Sequence, residues 1–236
     1  MPGARKSSHS KQGRSQRQRY RARKVEHRPT LPVVVIVCDD TRTAPAYFGV
    51  LKREIRRHVS LNVVTAPSSS ASPTDVVKRA IAEQAELVQD TDEEDTTAVW
   101  ALIDLEGQAD QRAQAKQAKE LSDKQGVSVA CSDPCYEVWT LLHLEDTGAQ
   151  FTDCKAVLRR VKQCWKGRFR EEFGRKGRAD YSKIIDSRHE AVTRAEAHWN
   201  QQDPSRTEVF KVIQEVDRYS SQSPHRVATA GSSLRS

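Results

Sequence analysis

An α/β fold, built on a mostly parallel four-stranded sheet flanked by helices and followed by a helical C-terminal extension, is what this sequence predicts, on three observations. The apolar runs Val33-Val34-Val35-Ile36-Val37 and Ala98-Val99-Trp100-Ala101-Leu102-Ile103 carry no polar alternation, as expected of strands covered on both faces. Segments of helical period separate these runs from two further short strands, and such alternation is the pattern of parallel strands joined by crossover helices. Each long run ends in acid, Cys38-Asp39-Asp40 and Asp104-Leu105-Glu106, at the strand-to-loop junction where open α/β sheets gather their ligands.

Taken in order, Leu31-Pro32 opens the first strand. A helix follows over Ala44 to Ile55, with Phe48, Leu51 and Ile55 on one face, Thr43 as N-cap and Pro45 in the first turn. Leu61 to Thr65 is a second strand, and the Ser-rich stretch from Pro67 to Pro73 is a connection. Thr74-Asp75 caps a helix carrying Val76, Val77, Ile81 and Leu87, after which the acidic residues Asp90 to Asp95 form a solvated loop. The strand ending at Asp104, an Ala/Gln/Lys-rich helix over Gln108 to Lys124 and a strand over Val127 to Cys131 complete the sheet. Beyond it the pattern is helical: Pro134 to Leu144, Asp153 to about Cys164, Tyr181 to about Trp199, and Ser205 to Val216.

Composition divides the chain further. Its 236 residues are 36% hydrophobic and 30% charged, with a formal net charge of +7, enough for one substantial core but too polar to be ordered throughout. Residues 1–30 are Arg, Lys, Ser and Gln with almost nothing to bury, which predicts a disordered basic arm. Residues 31–144 form the α/β core, 145–218 a helical part of the same domain, and 219–236 a frayed Ser-rich tail. No run approaches the length of a membrane span, and the arm lacks the apolar stretch of a secretory signal. Five cysteines without paired C-x-x-C spacing suit free thiols in a reducing compartment, so a cytoplasmic protein is expected. Cys131, Cys135 and His143 do not have the spacing of a compact zinc module.

The acidic clusters carry the chemistry. If the two long strands are neighbours, Asp39, Asp104 and Glu106 converge, and carboxylates that close repel one another unless one is protonated or a cation joins them. Hard oxygen donors predict Mg²⁺ or Mn²⁺. Asp104 and Glu106, two residues apart, would share one side of an extended segment. The competing reading of Asp39 and Asp40 is a turn after a strand. Glu137, on an otherwise apolar helix, must sit at a rim or be paired. His143, at the far end of that helix, also reads as a core or capping residue, and Lys183 as one lysine of many. A basic stretch containing Arg168, Arg170, Arg175 and Lys176, interleaved with Trp165, Phe169 and Phe173, joins the N-terminal arm in pointing to DNA or RNA. Arg42 lies close enough to the first cluster to hold a phosphate. Trp100, Trp139, Trp165 and Trp199 read as packing residues.

Three blocks also resemble a known family. Val33 to Phe48, with Cys38-Asp39-Asp40-Thr41-Arg42-Thr43-Ala44-Pro45-Ala46-Tyr47-Phe48, is similar to the opening of RloB-like proteins, a strand followed by Cys-Glu-Gly and Thr-Glu-Pro-x-Tyr-Phe. Val99 to Glu106 resembles their strand ending in Asp-x-Asp. Ser132-Asp133-Pro134-Cys135-Tyr136-Glu137-Val138-Trp139-Thr140-Leu141-Leu142-His143 resembles their Ser-Asn-Pro-Cys-Phe-Glu-x-Trp-Leu-Leu-Leu-His. Weaker matches at Tyr181-Ser182-Lys183 and Asp203 to Thr207 extend the resemblance to about Val216. It implies a TOPRIM-like fold and a metal-dependent nuclease of bacterial anti-phage defence, often beside an ATPase. By this resemblance Asp39 is the general acid/base and a metal ligand, Asp104 and Glu106 are the metal pair, and Glu137, His143 and Lys183 are further catalytic positions. The chain departs from the pattern in having Asp39 for Glu, Asp40 for Gly, Ala44 for an acid and Glu106 for Asp. Mg²⁺ requires near-ideal octahedral geometry, so these changes bear on which carboxylate reaches it. A catalytically inactive nucleic-acid- or partner-binding module with a drifted acidic site is the alternative.

Overall fold

The computed structural model describes residues 31–66, 71–90, 97–174 and 179–222. The N-terminal arm, most of the Ser-rich connection, the acidic loop, Arg175, Lys176 and the tail beyond Gln222 lie outside the described residues. Among those described, five strands form one sheet in the order β2-β1-β3-β4-β5: β1 (Val33–Cys38), β2 (Ser60–Thr65), β3 (Thr97–Asp104), β4 (Ser128–Asp133) and β5 (Arg206–Thr207). The first four are parallel, and β5 runs antiparallel to β4 through Ser132↔Thr207 and Asp133↔Arg206.

Among the described residues seven α-helices flank the sheet: α1 (Thr43–Ile55), α2 (Pro73–Asp90), α3 (Ala109–Asp123), α4 (Glu137–Leu144), α5 (Cys154–Phe169), α6 (Arg188–Asn200) and α7 (Val209–Gln222). The period-2 geometry of strands explains the two layers, because successive side chains leave opposite faces. Val34, Ile36 and Cys38 of β1, with Trp100 and Leu102 of β3, pack into a core with α1 and α4 to α7. Val35, Val37, Val99, Ala101 and Ile103 point the other way onto Val76, Val77 and Ala80 of α2 and Ala115 and Ala118 of α3. Burial on both faces is why the sequence shows continuous rather than alternating apolar residues. Each fully buried Val or Ile contributes roughly 1.5–3 kcal/mol.

Several sequence expectations are corrected. The sheet has a fifth strand where a helix starting at Ser205 was expected; the last helix starts at Val209 and runs on to Gln222, into the segment expected to be frayed. Tyr181 to Ser187 makes two short 3-10 turns before α6 instead of continuous helix, and α5 continues to Phe169. Thr43 is the first helical residue of α1, not its cap; Asp40 accepts from the Thr43 N–H instead, at 2.6 Å. Among the described residues, no helix is long and apolar enough to cross a membrane.

Candidate functional site

The register between the two central strands sets the site. Cys38 of β1 lies opposite Leu102 of β3, so the two chains leave the sheet side by side and their acidic ends meet. The Asp104 backbone N–H donates to Asp39 Oδ2 at 2.9 Å. An open cleft of about 550 Å³ lies over this junction, lined by Asp39, Asp40, Arg42, Thr43, Ser72, Asp104, Glu106 and Gln111 among others. The four carboxylates of the two sequence clusters therefore face one crevice, and among the described residues no lysine or arginine forms an ion pair with them.

Burial, and then like charge, sets the electrostatics. Burial pushes the Asp39 carboxyl up to about 6; its hydrogen bond from Asp104 opposes the rise, and the charge of Asp40 adds to it. Asp104 is raised well above the ordinary carboxylate range, first by burial and then by the charges of Asp39 and Glu137. Two carboxyl groups in contact with each other's fields titrate as a pair, which binds a shared proton or cation more readily than either would alone.

Neighbouring carboxylates have divided tasks. Asp40 uses Oδ2 to satisfy the first N–H of α1, while its Oδ1 is buried without a hydrogen-bond partner. Glu137 opens α4 and accepts from Thr43 Oγ1 at 3.1 Å, tying α4 to the start of α1. The acid is thus half-buried at the start of its apolar helix and hydrogen-bonded by a neutral hydroxyl.

Glu106 corrects the extended-strand argument. The strand ends at Asp104, and Leu105 to Gln108 form a turn closed by the Gln108 N–H on the Leu105 carbonyl at 2.9 Å. Glu106 and Gly107 both have positive φ, 51° and 72°, and a Cβ at Gly107 would meet the Thr152 carbonyl oxygen at 2.4 Å. Glu106 thus reaches the cleft mouth from a turn, exposed. It does not share a pleat with Asp104. Among the described residues, no group of three or more His, Cys, Asp or Glu side chains is gathered closely enough to form a ready-made metal shell.

Other predicted site residues lie elsewhere. His143 is 1% exposed at the opposite end of α4, with Nδ1 3.0 Å from the Ile184 carbonyl and its ring against Tyr47 and Trp139. Burial drives its pKa down to about 3, so it is a neutral core residue. Lys183 pairs with Glu171 at 2.5 Å. Arg168 donates to the His143 carbonyl, and exposed Arg170 ends α5 in the left-handed conformation. None of these four lines the cleft. Arg42 does, exposed at its rim. Trp139 and Trp165 are buried packing residues as expected.

Sequence reasoning missed Thr43, Ser72 and Gln111. Ser72 sits where the Ser-rich connection enters α2, and its hydroxyl donates to Asp75 at 2.7 Å. Nothing in a run of serines marks the one that the α2 crossover carries back to the cleft.

Comparison with family models matches residues 34–216 to the RloB-like protein family. No curated protein and no solved structure matches the chain. The matched span contains the whole acidic cleft, both strand ends and the Ser132 to His143 block, and the chain belongs to the RloB-like family.

Proposed function

We propose that this protein is a TOPRIM-type, metal-dependent nuclease that hydrolyses phosphodiesters of DNA or RNA in the cleft at the ends of β1 and β3. It acts in the cytoplasm, in bacterial anti-phage defence, with a partner ATPase. The observation that carries the reading is the Asp39–Asp104 junction: two carboxylates at the ends of neighbouring parallel strands, with the Asp104 backbone N–H donating to the Asp39 carboxylate and no basic partner among the described residues. Oxygen donors of this kind fit a hard divalent ion, and the buried, unpartnered Asp40 Oδ1 marks a place where the fold leaves an acceptor unsatisfied.

Asp39 and Asp104 would hold Mg²⁺ or Mn²⁺, with Glu106 at the mouth as a further oxygen donor. Such an ion supplies charge neutralisation at a phosphate oxygen and a lowered pKa for a bound water. Asp39, fixed by the Asp104 N–H, takes up the proton of the attacking water. Arg42 at the rim holds a flanking phosphate through charge-assisted hydrogen bonds. The Thr43–Glu137 contact keeps α1 and α4 in register around the carboxylates.

A second reading has its own support. Asp40 is diverted to capping, Glu106 is exposed, and no three-ligand group is assembled among the described residues; this favours a nucleic-acid- or partner-binding module that no longer cleaves. Incubation of the protein with tRNA, single-stranded RNA and plasmid DNA in Mg²⁺ or Mn²⁺ separates the two. The nuclease gives cleavage that EDTA and the double change Asp104→Ala, Glu106→Ala abolish. Intact substrates in every case, with the partner ATPase supplied, leave the binding module.

A further inference from the structure

On the other side of the Leu105 to Arg112 segment lies a second cavity of about 300 Å³, lined by Arg112, Lys116, Lys119, Asp133, Trp199 and Arg206 among others. Its cations come from α3 and β5, and Lys211 of α7 joins them over the same indole: Arg206 lies 4.7 Å, Lys211 4.9 Å and Lys119 5.9 Å from the centre of the Trp199 ring. Cations held against an aromatic face are attracted by its quadrupole, so Trp199 organises them.

The charges do not balance. Arg112 is bonded to Asp133 at 2.9 Å, and buried Glu208 binds both Lys119, at 2.7 Å, and Lys211, at 2.6 Å. Lys116 and Arg206 form no ion pair among the described residues. Four cations thus line the concavity against one lining carboxylate, Asp133, with Lys211 and Glu208 beside it at Trp199 and Lys119, and like charges so gathered repel unless an anion joins them. A solvated lysine face needs neither a cavity nor an aromatic floor.

We propose that this cavity is a phosphate-binding subsite for single-stranded nucleic acid, with Lys116 and Arg206, the lining cations without an ion pair among the described residues, as its phosphate contacts. Concave basic surfaces of this kind track a backbone irrespective of sequence. Its position extends the functional reading above. Glu106 and Gln111 line the acidic cleft while their chain neighbours Leu105 and Arg112 line this cavity, so a strand leaving the cleft across the start of α3 meets these cations next. The identification of the anion as nucleic acid rests on that reading; the excess positive charge does not.

Fluorescence anisotropy of labelled single-stranded RNA and DNA oligonucleotides with the full chain, in EDTA and across a salt series, tests the subsite without cleavage. The double change Lys116→Ala, Arg206→Ala weakens binding about tenfold and lowers the slope of log K against log salt by about 1–2. Lys116→Ala alone, an exposed helical position, lowers the slope by about 1 and keeps the test valid should Arg206→Ala disturb β5. Unchanged affinity and slope in both variants overturn the proposal. Variant-sensitive binding by a wild-type protein that cleaves nothing retains the subsite and rejects the nuclease, whereas normal metal-dependent cleavage with variant-insensitive binding does the reverse.

Discussion

Asp39 with Asp104 on one side and Glu208 on the other are carboxylates at neighbouring places in the sheet, and the fold treats them in opposite ways. Glu208, 2% exposed, accepts from two lysines and from the Cys131 N–H at 3.1 Å. Its pKa is lowered: burial acts to raise it, but the lysines and hydrogen bonds outweigh that. Among the described residues no lysine or arginine pairs with Asp39 or Asp104, which lie near each other, and both are raised. One arrangement follows the rule that a buried charge is paired; the other breaks it where a ligand can supply the missing charge. A local cost of this kind, placed at strand ends where ligands gather, is the pattern of a working site.

Substitutions that exchange these two situations test the contrast. The largest effect is expected from Asp39→Asn, which keeps an oxygen for the Asp104 N–H but removes the proton acceptor. Cleavage measured on gels falls by about 10²–10⁴-fold. The same change raises stability in urea unfolding without metal by roughly 1–3 kcal/mol at pH 7, because ionising a carboxyl whose pKa is raised costs about 1.4 kcal/mol per unit. Glu208→Ala does the opposite. It leaves Lys119 and Lys211 crowded over Trp199 and the Cys131 N–H unsatisfied, and lowers stability by roughly 3 kcal/mol.

pH sharpens the comparison through its sign. The Asp39 penalty is full above its folded pKa of about 6 and fades toward the unfolded value of 3.8, so wild type gains on Asp39→Asn as pH falls from 7 to 4. The Glu208 contribution is present above its unfolded pKa of 4.5 and is lost as pH falls through its lower folded value, so wild type loses its advantage over Glu208→Gln on acidification. His143 is neutral when folded down to about pH 3 but titrates near 6.5 when unfolded; its presence costs stability increasingly below pH 6.5, by about 1.4 kcal/mol per pH unit, relative to His143→Gln. Denaturant midpoints across pH measure all three. The smallest effect is that of Asp40→Ala, which removes the acceptor for the Thr43 N–H and costs about 1 kcal/mol.

The sheet was legible because burial on both faces writes β1 and β3 as uninterrupted apolar runs, and the acids that end them stood out against those runs. β5 was not: two residues, Arg206 and Thr207, cannot display a period. The shared direction of Asp104 and Glu106 was misread although Glu106-Gly107 is a turn signal, since Gly107 takes a φ that other residues rarely adopt. His143 was legible as a core residue from its place on an apolar helix, the competing reading that the structure favours. The gathering of Lys119, Arg206 and Lys211 around Trp199 was invisible because α3, β5, α6 and α7 bring together positions far apart in sequence.

The central claim, that Asp39 and Asp104 await a shared cation, is tested most directly by thermal unfolding of the full chain in increasing Mn²⁺ or Mg²⁺. A ligand that binds only the folded state stabilises it in proportion to the logarithm of its concentration. The account predicts that millimolar metal raises the Tm of the wild type and leaves that of the double variant Asp39→Asn, Asp104→Asn, already higher without metal, unmoved. Equal shifts in both proteins, or no shift in either, would contradict it.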